Sequence, residues 1–136
     1  MRPISIAGRP IYAIFLAVPV VCFVATVASD LAYEGSDGNL IWLNFSSWLL
    51  AAGLLFGAVA LVLMLIDAVR GLGWIGPLLL LAAWIVELFN SLIHARDGWT
   101  AVVPAGLLLS LVGALLVLLG GWLSHSARVA TEPARR

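Results

Sequence analysis

Four long apolar runs limit what this chain can fold into more than any other feature of its sequence. They extend over residues 12–31, 42–66, 74–93 and 101–123. A helix needs about 20 apolar residues to cross the ~30 Å hydrocarbon core of a bilayer, and each run is long enough. Short segments rich in turn-forming residues, such as Glu34–Asn39 and Arg70–Gly73, separate the runs, so consecutive helices must be antiparallel. The sequence therefore predicts an all-α integral membrane four-helix bundle, up-down-up-down with short loops, over residues 1–124.

The charge of the chain excludes several classes of protein. Only 10% of the 136 residues are charged, against about 25% in an ordinary soluble domain, and the formal net charge is zero. No basic surface is available to meet a phosphate backbone, so a nucleic acid partner is not expected. The single cysteine, Cys22, cannot form an internal disulfide or a thiolate metal site. The lipid bilayer is the expected surrounding, and residues 125–136 are expected to form a disordered cytoplasmic tail.

Arginines are distributed unequally between the two sides of the predicted bundle. Six of them fall on one side and only Arg96 on the other; the six are Arg2, Arg9, Arg70, Arg128, Arg135 and Arg136. Arginine and lysine favour the cytoplasmic side of a membrane, so both termini are expected in the cytoplasm. A cleaved signal peptide ending near Val27–Ser29 is the alternative for the N-terminus, although the apolar stretch is longer than such a peptide needs.

Polar residues are confined to one half of the predicted bundle. The cytoplasmic halves of the four runs contain no Asp, Glu, His, Asn, Gln, Ser, Thr or Arg. On the third run, polar residues recur at the i, i+3, i+4 and i+7 spacing of one helix face. A carboxyl group near the middle of a membrane is costly and marks a functional site by default. Seven residues of the outer half form the candidate polar site: Asp30, Glu87, Asn90, Ser91, His94, Arg96 and Ser110.

Structural interpretations of these residues stay open beside the functional one. An ion pair between Asp30 and Arg96 near the outer interface, or simple hydration, would explain them without any function. Glu87 lies seven residues inside His94, about 10 Å deeper along the helix. Because burial disfavours the charged form of a carboxyl group, Glu87 is expected to be neutral. A structural hydrogen bond from Glu87 to Ser110 or Thr26 is as good an explanation as a ligand site.

Small residues at helical spacing predict where the helices approach each other closely. Gly106, Gly113 and Gly120 recur at heptad spacing on the fourth run, and Gly53 and Gly57 lie one turn apart on the second. Membrane helices pack through such small-residue faces. The glycine stripe of the fourth run faces either another helix of the chain or a second copy, which would make it the contact of a homo-oligomer.

The motifs of common membrane-associated chemistry are missing from the sequence. It has no haem-attachment motif, zinc-protease motif, phosphate-binding glycine loop or supported catalytic set. His94 and His125 lie at opposite faces of the predicted bundle, so one chain cannot hold a haem between two histidines. Neither a cofactor nor a metal ion is predicted, and enzymatic activity is not expected.

Several stretches of the sequence resemble a known family. Glu87–Trp99, Pro104–Ser110 and Ser29–Tyr33 are similar to segments of the bacterial membrane-protein family named domain of unknown function 2231, and the resemblance covers about residues 9–124. It implies a four-helix protein of the bacterial inner membrane with a membrane or periplasmic oxidoreductase as partner. Many members begin with His-Pro and further histidines, which implies metal or haem binding, whereas this chain has Arg9-Pro10 there.

Two functions of different classes follow from these patterns. The first is a non-enzymatic accessory or anchoring subunit, with a polar cavity or partner face on the periplasmic side. The alternative is a redox-associated subunit that binds haem or quinone in the outer half of the bundle, with His94 supplied by two copies of the chain.

Overall fold

Four helices make up most of the structure. The computed structural model describes residues 3–6, 9–96 and 102–131. Its helices are α1 (Ile11–Gly35), α2 (Leu40–Asp67), α3 (Ile75–His94) and α4 (Leu107–Thr131). All four are long and apolar enough to cross a membrane, so the predicted all-α membrane bundle is confirmed.

The helices pack in a ring, in which each helix contacts its neighbours in the chain and α4 closes onto α1. Two ends of the bundle result: the Asn39 end, which holds the α1–α2 loop, and the Arg70 end, which holds the α2–α3 connection. Towards the Arg70 end the interior is built from apolar side chains, including Leu61, Leu80 and Val117. The outer surface is apolar as well, with Trp48 and Trp122 each more than two-thirds exposed, as expected of helices that face lipid.

Both glycine stripes face helices of the same chain. A methyl group added at Gly53 would overlap the ring of Phe23 on α1, and one added at Gly113 would overlap the carboxyl group of Glu87 on α3. At Gly120 an added carbon would lie 3.2 Å from the β-carbon of Leu79, also on α3. Of the two alternatives for the glycine stripe of α4, another helix of the same chain or a second copy, Gly113 and Gly120 therefore meet the first, since α3 packs against them.

Turn residues close the two connections that the structure describes in full. In the α1–α2 loop, Gly38 has a φ of 81°, which only glycine adopts without cost. The side chain of Asn39 then caps α2 by accepting a hydrogen bond from the backbone N–H of Ile41 at 3.0 Å. At the other end, α2 continues into a wider π-type turn (Ala68–Leu72) in which Gly71 has a φ of 92°.

Two features of α4 differ from the prediction. The regular helix begins at Leu107 rather than at residue 101, after a π-type turn (Val102–Gly106) in which Val103 is extended. The residue before a proline disfavours the helical conformation, and Pro104 follows Val103. The helix also continues to Thr131, so the disordered tail predicted from residue 125 is wrong as far as residue 131. Residues 122–131 contain neither glycine nor proline, so nothing in that stretch breaks the helix.

A short hairpin before α1 was not predicted. Strand β1 (Ser5–Ile6) pairs antiparallel with β2 (Arg9–Pro10). The backbone N–H of Ile4 donates to Oδ1 of Asp67 at 3.3 Å, which ties the hairpin to the end of α2. This contact joins residues far apart in the chain, so local sequence patterns do not indicate it.

Candidate functional site

Six buried polar side chains, contributed by all four helices, form one connected set of hydrogen bonds. We call it the polar network. Each member is at most 4% exposed. Its members are Asp30 on α1, Ser46 on α2, Glu87, Asn90 and His94 on α3, and Ser110 on α4. The network lies in the half of the bundle towards the Asn39 end.

Asp30 is the centre of the polar network. Its Oδ1 atom accepts a hydrogen bond from Ser46 Oγ at 2.6 Å and lies 2.9 Å from Nε2 of His94. Its Oδ2 atom accepts from Ser110 Oγ at 2.6 Å. One carboxyl group thus contacts the three other helices, and hydrogen bonds between membrane helices contribute about 0.6–2 kcal/mol each.

The protons of the Asp30–His94 pair can be counted from its geometry. Nδ1 of His94 lies 3.0 Å from the backbone oxygen of Asn90, which can only accept, so Nδ1 carries a hydrogen. A single further proton lies between Nε2 and Oδ1 of Asp30, on one atom or the other. In both cases the pair has no net charge, which is the state that a low-dielectric interior tolerates best. Both ring nitrogens are engaged within the chain.

Asn90 joins Glu87 to the rest of the polar network. Its Nδ2 group donates to Oε2 of Glu87 at 2.8 Å and to Oγ of Ser110 at 2.7 Å, which uses both amide hydrogens. Oε1 of Glu87 and Oδ1 of Asn90 are left without a partner among the described residues. Gly113 lies directly against Oε1, so the missing side chain of this glycine makes room for the carboxyl group.

The structure brings together five of the seven residues of the candidate polar site: Asp30, Glu87, Asn90, His94 and Ser110. Ser91 is turned about 100° around α3 from Asn90, and its hydroxyl donates to the backbone oxygen of Leu88 at 2.8 Å instead. Arg96 is exposed beyond the end of α3. The Asp30–Arg96 ion pair considered from the sequence is therefore wrong, because the carboxyl group of Asp30 is buried against His94.

Two further residues differ from the expectation. Ser46 belongs to the polar network but was not among the seven, because it is the only network member on α2 and no periodic pattern marks it. The sequence feature that could have indicated Ser46 is its depth in the membrane, because the tight α1–α2 loop places it at the level of Asp30. Thr26, considered as a partner of Glu87, donates instead to the backbone oxygen of Cys22 in its own helix at 2.9 Å.

The polar network is closed rather than open. Its side chains bond to one another and are almost completely buried, so they do not line the polar cavity that was expected. A surface groove lies at the opposite end of the bundle, between α1 and α4. It has a volume of about 330 Å³ and is lined mostly by apolar residues such as Tyr12, Leu16 and Val20.

Comparison with known proteins adds one match. A family model described as a predicted membrane protein (DUF2231) matches residues 8–131. No curated protein and no solved structure matches the chain.

Proposed function

The chain belongs to the DUF2231 family of predicted membrane proteins, and on that premise we propose that it is a non-enzymatic accessory or anchoring subunit of the bacterial inner membrane. The observation that carries the proposal is the closure of the polar network. Asp30, His94 and Ser110 satisfy one another across the helices and present nothing to a substrate. The bundle is then a rigid, self-contained membrane unit whose polar groups hold its helices together.

The interior also argues against a conduit. A channel or carrier needs polar groups along the whole path, or at broken helices near the midplane. In this bundle the polar network occupies only the half towards the Asn39 end. The interior beyond it is filled by apolar side chains such as Leu61, Leu80 and Val117. A polar solute would have to displace them to pass.

The proposed orientation rests on the arginines. By position in the sequence, six arginines belong to the side of the Arg70 end and one to the side of the Asn39 end, so the Arg70 end is assigned to the cytoplasm and the polar network to the periplasmic half. A partner would then meet the chain at the periplasmic loops or along the lipid-facing helices. The family resemblance makes a membrane or periplasmic oxidoreductase the first partner class to look for.

The contacts of His94 count against the redox-associated alternative. Ligation of a haem iron by His94 would have to break its contact with Asp30, because the other ring nitrogen is bound to the backbone of Asn90. Breaking that contact would leave the carboxyl group of Asp30 without its histidine in the interior of the bundle, which is costly. The polar network likewise turns no side chain outward towards a quinone.

Copurification tests the accessory role. The tagged chain, expressed at its natural level and extracted in mild detergent, should be recovered with one partner at a fixed stoichiometry by mass spectrometry. A tagged partner should recover the chain in turn. Recovery of the chain always alone, in several detergents and in lipid particles, would contradict the proposal.

Ion flux into vesicles tests the conduit alternative. Vesicles that contain the purified chain should leak protons and monovalent cations no faster than empty vesicles. A leak that is abolished by Glu87→Gln but kept in Ser91→Ala, a variant outside the polar network, would show a conduit and overturn the proposal.

A further inference from the structure

Two buried acceptor atoms of the polar network lack a donor within the described part of the chain. They are Oε1 of Glu87 and Oδ1 of Asn90, and both residues are completely buried. The great majority of buried polar atoms in proteins are paired, so two unpaired oxygen atoms on neighbouring side chains indicate that a hydrogen-bond donor is missing here. Because both atoms are oxygens, the occupant must supply a hydrogen or a positive charge.

Packing and charge limit what the occupant can be. Oε1 of Glu87 lies directly against Gly113, so little volume is left beside it. Among the described residues there is no group of three His, Cys, Asp or Glu side chains that could hold a metal ion. The Asp30–His94 pair is neutral by itself, and no arginine belongs to the polar network. An ionised Glu87 would therefore add an unbalanced negative charge to the polar network.

We propose that Glu87 and Asn90 form a binding site for a single proton, held on Oε1 of Glu87 and donated to Oδ1 of Asn90. The other half of the contact is present, since Nδ2 of Asn90 donates to Oε2 of Glu87 at 2.8 Å. A carboxylic acid and an amide that exchange two hydrogen bonds in this way satisfy all four of their facing atoms. One proton gives both unpaired oxygen atoms a hydrogen-bond partner, needs almost no volume and neutralises the carboxyl group of Glu87.

Asn90 isolates this proton from the rest of the polar network. Its two amide hydrogens are committed to Glu87 and to Ser110, and an amide nitrogen does not pass a proton on as a hydroxyl or an imidazole does. The titratable groups that face the site are Asp30 on α1 and His94 on α3, while α2 and α4 contribute only the hydroxyls of Ser46 and Ser110. The Glu87 proton is thus held separately from the proton that Asp30 and His94 share.

Infrared spectroscopy of the full chain in lipid at pH 7 tests the site. We expect a protonated-carboxyl band that belongs to Glu87: it is lost in Glu87→Gln and kept in Asp30→Asn, whichever atom of the Asp30–His94 pair holds the shared proton. Gly113→Ala should shift the band, because the added methyl group overlaps Oε1 of Glu87. Gly121→Ala is the matched control, because nothing lies within 4 Å of the added carbon, and it should leave the band unchanged.

A second measurement does not depend on the folding of any variant. In the unmutated protein, isotopic labelling of glutamate carboxyl carbons should shift this band, whether or not labelling of aspartate shifts a second band from Asp30. Absence of the band, or a band that moves with aspartate labelling instead, would overturn the proposal. These outcomes are independent of whether the chain has an accessory role.

Discussion

At the scale of single residues, Asp30 and Asn90 account for most of the connections inside the bundle. Asp30 joins α1 to the three other helices, and Asn90 joins the deepest carboxyl group to Ser110. Neither could be exchanged for an apolar residue without leaving several partners unsatisfied in a medium that offers no water. The polar residues of the network therefore hold the helices together, and the binding of a proton at Glu87 depends on that arrangement.

Removal of the Ser110 hydroxyl should destabilise the bundle. In Ser110→Ala, one amide hydrogen of Asn90 and Oδ2 of Asp30 lose their partner. We expect the free energy of unfolding, measured by denaturant titration in detergent micelles, to fall by about 1–3 kcal/mol. The control is Ser91→Ala, whose hydroxyl bonds only to its own helix and should change stability by less than about 0.5 kcal/mol. Equal effects of the two variants would contradict the role given to Ser110.

Periodicity predicted the α3 part of the site and could not predict the rest. Glu87, Asn90 and His94 lie on one helix face, so their spacing alone places them together. The partners of those residues on other helices depend on how the helices rotate against each other. Ser46 was therefore missed, and Asp30 was considered as a partner of Arg96 although it contacts His94.

At the scale of the helices, close backbone approach between α1 and α2 depends on Gly53. The ring of Phe23 occupies the space that a side chain at this position would need. Hydropathy predicted that these segments are helices and nearly where they begin and end, because the width of a bilayer fixes their length. It did not predict the hairpin before α1, which is held by Asp67, or the extension of α4 to Thr131.

A methyl group at Gly53 should therefore force α1 and α2 apart. Overpacking of this kind costs about 1–3 kcal/mol, so Gly53→Ala should lower the thermal unfolding midpoint in detergent. Gly121→Ala adds the same group where there is open space and should leave the midpoint unchanged or slightly higher. The second substitution Phe23→Leu should cost less in the Gly53→Ala background than alone, because the two side chains compete for one space. Strict additivity would argue against the contact.

At the scale of the whole molecule, the two ends of the bundle are chemically different. The polar network lies towards the Asn39 end and an apolar interior towards the Arg70 end, where Arg9 and Arg70 lie beside the helix ends. The ring of four helices places all six network residues inside one chain. A monomer is therefore sufficient to complete the polar network, whatever the chain binds through its outer surface.

Cysteine labelling should establish the orientation of the bundle. In a Cys22→Ala background, Ser36→Cys places a thiol in the α1–α2 loop and Ser126→Cys places one near the end of α4. An impermeant maleimide added to spheroplasts should label the first and not the second, and should label both after lysis. The reverse pattern would place the Asn39 end in the cytoplasm and contradict the orientation inferred from the arginines.

The position of Asp30 on the first helix has a consequence for biosynthesis. Chains emerge from the ribosome N-terminus first, so α1 is made before the helices that carry Ser46, His94 and Ser110. Until α4 arrives, Oδ2 of Asp30 lacks its partner Ser110, although Oδ1 can already contact Ser46 and His94. The final helix therefore completes the set of hydrogen bonds at Asp30, and we expect chains that stop before it to be degraded faster in the membrane than the full chain.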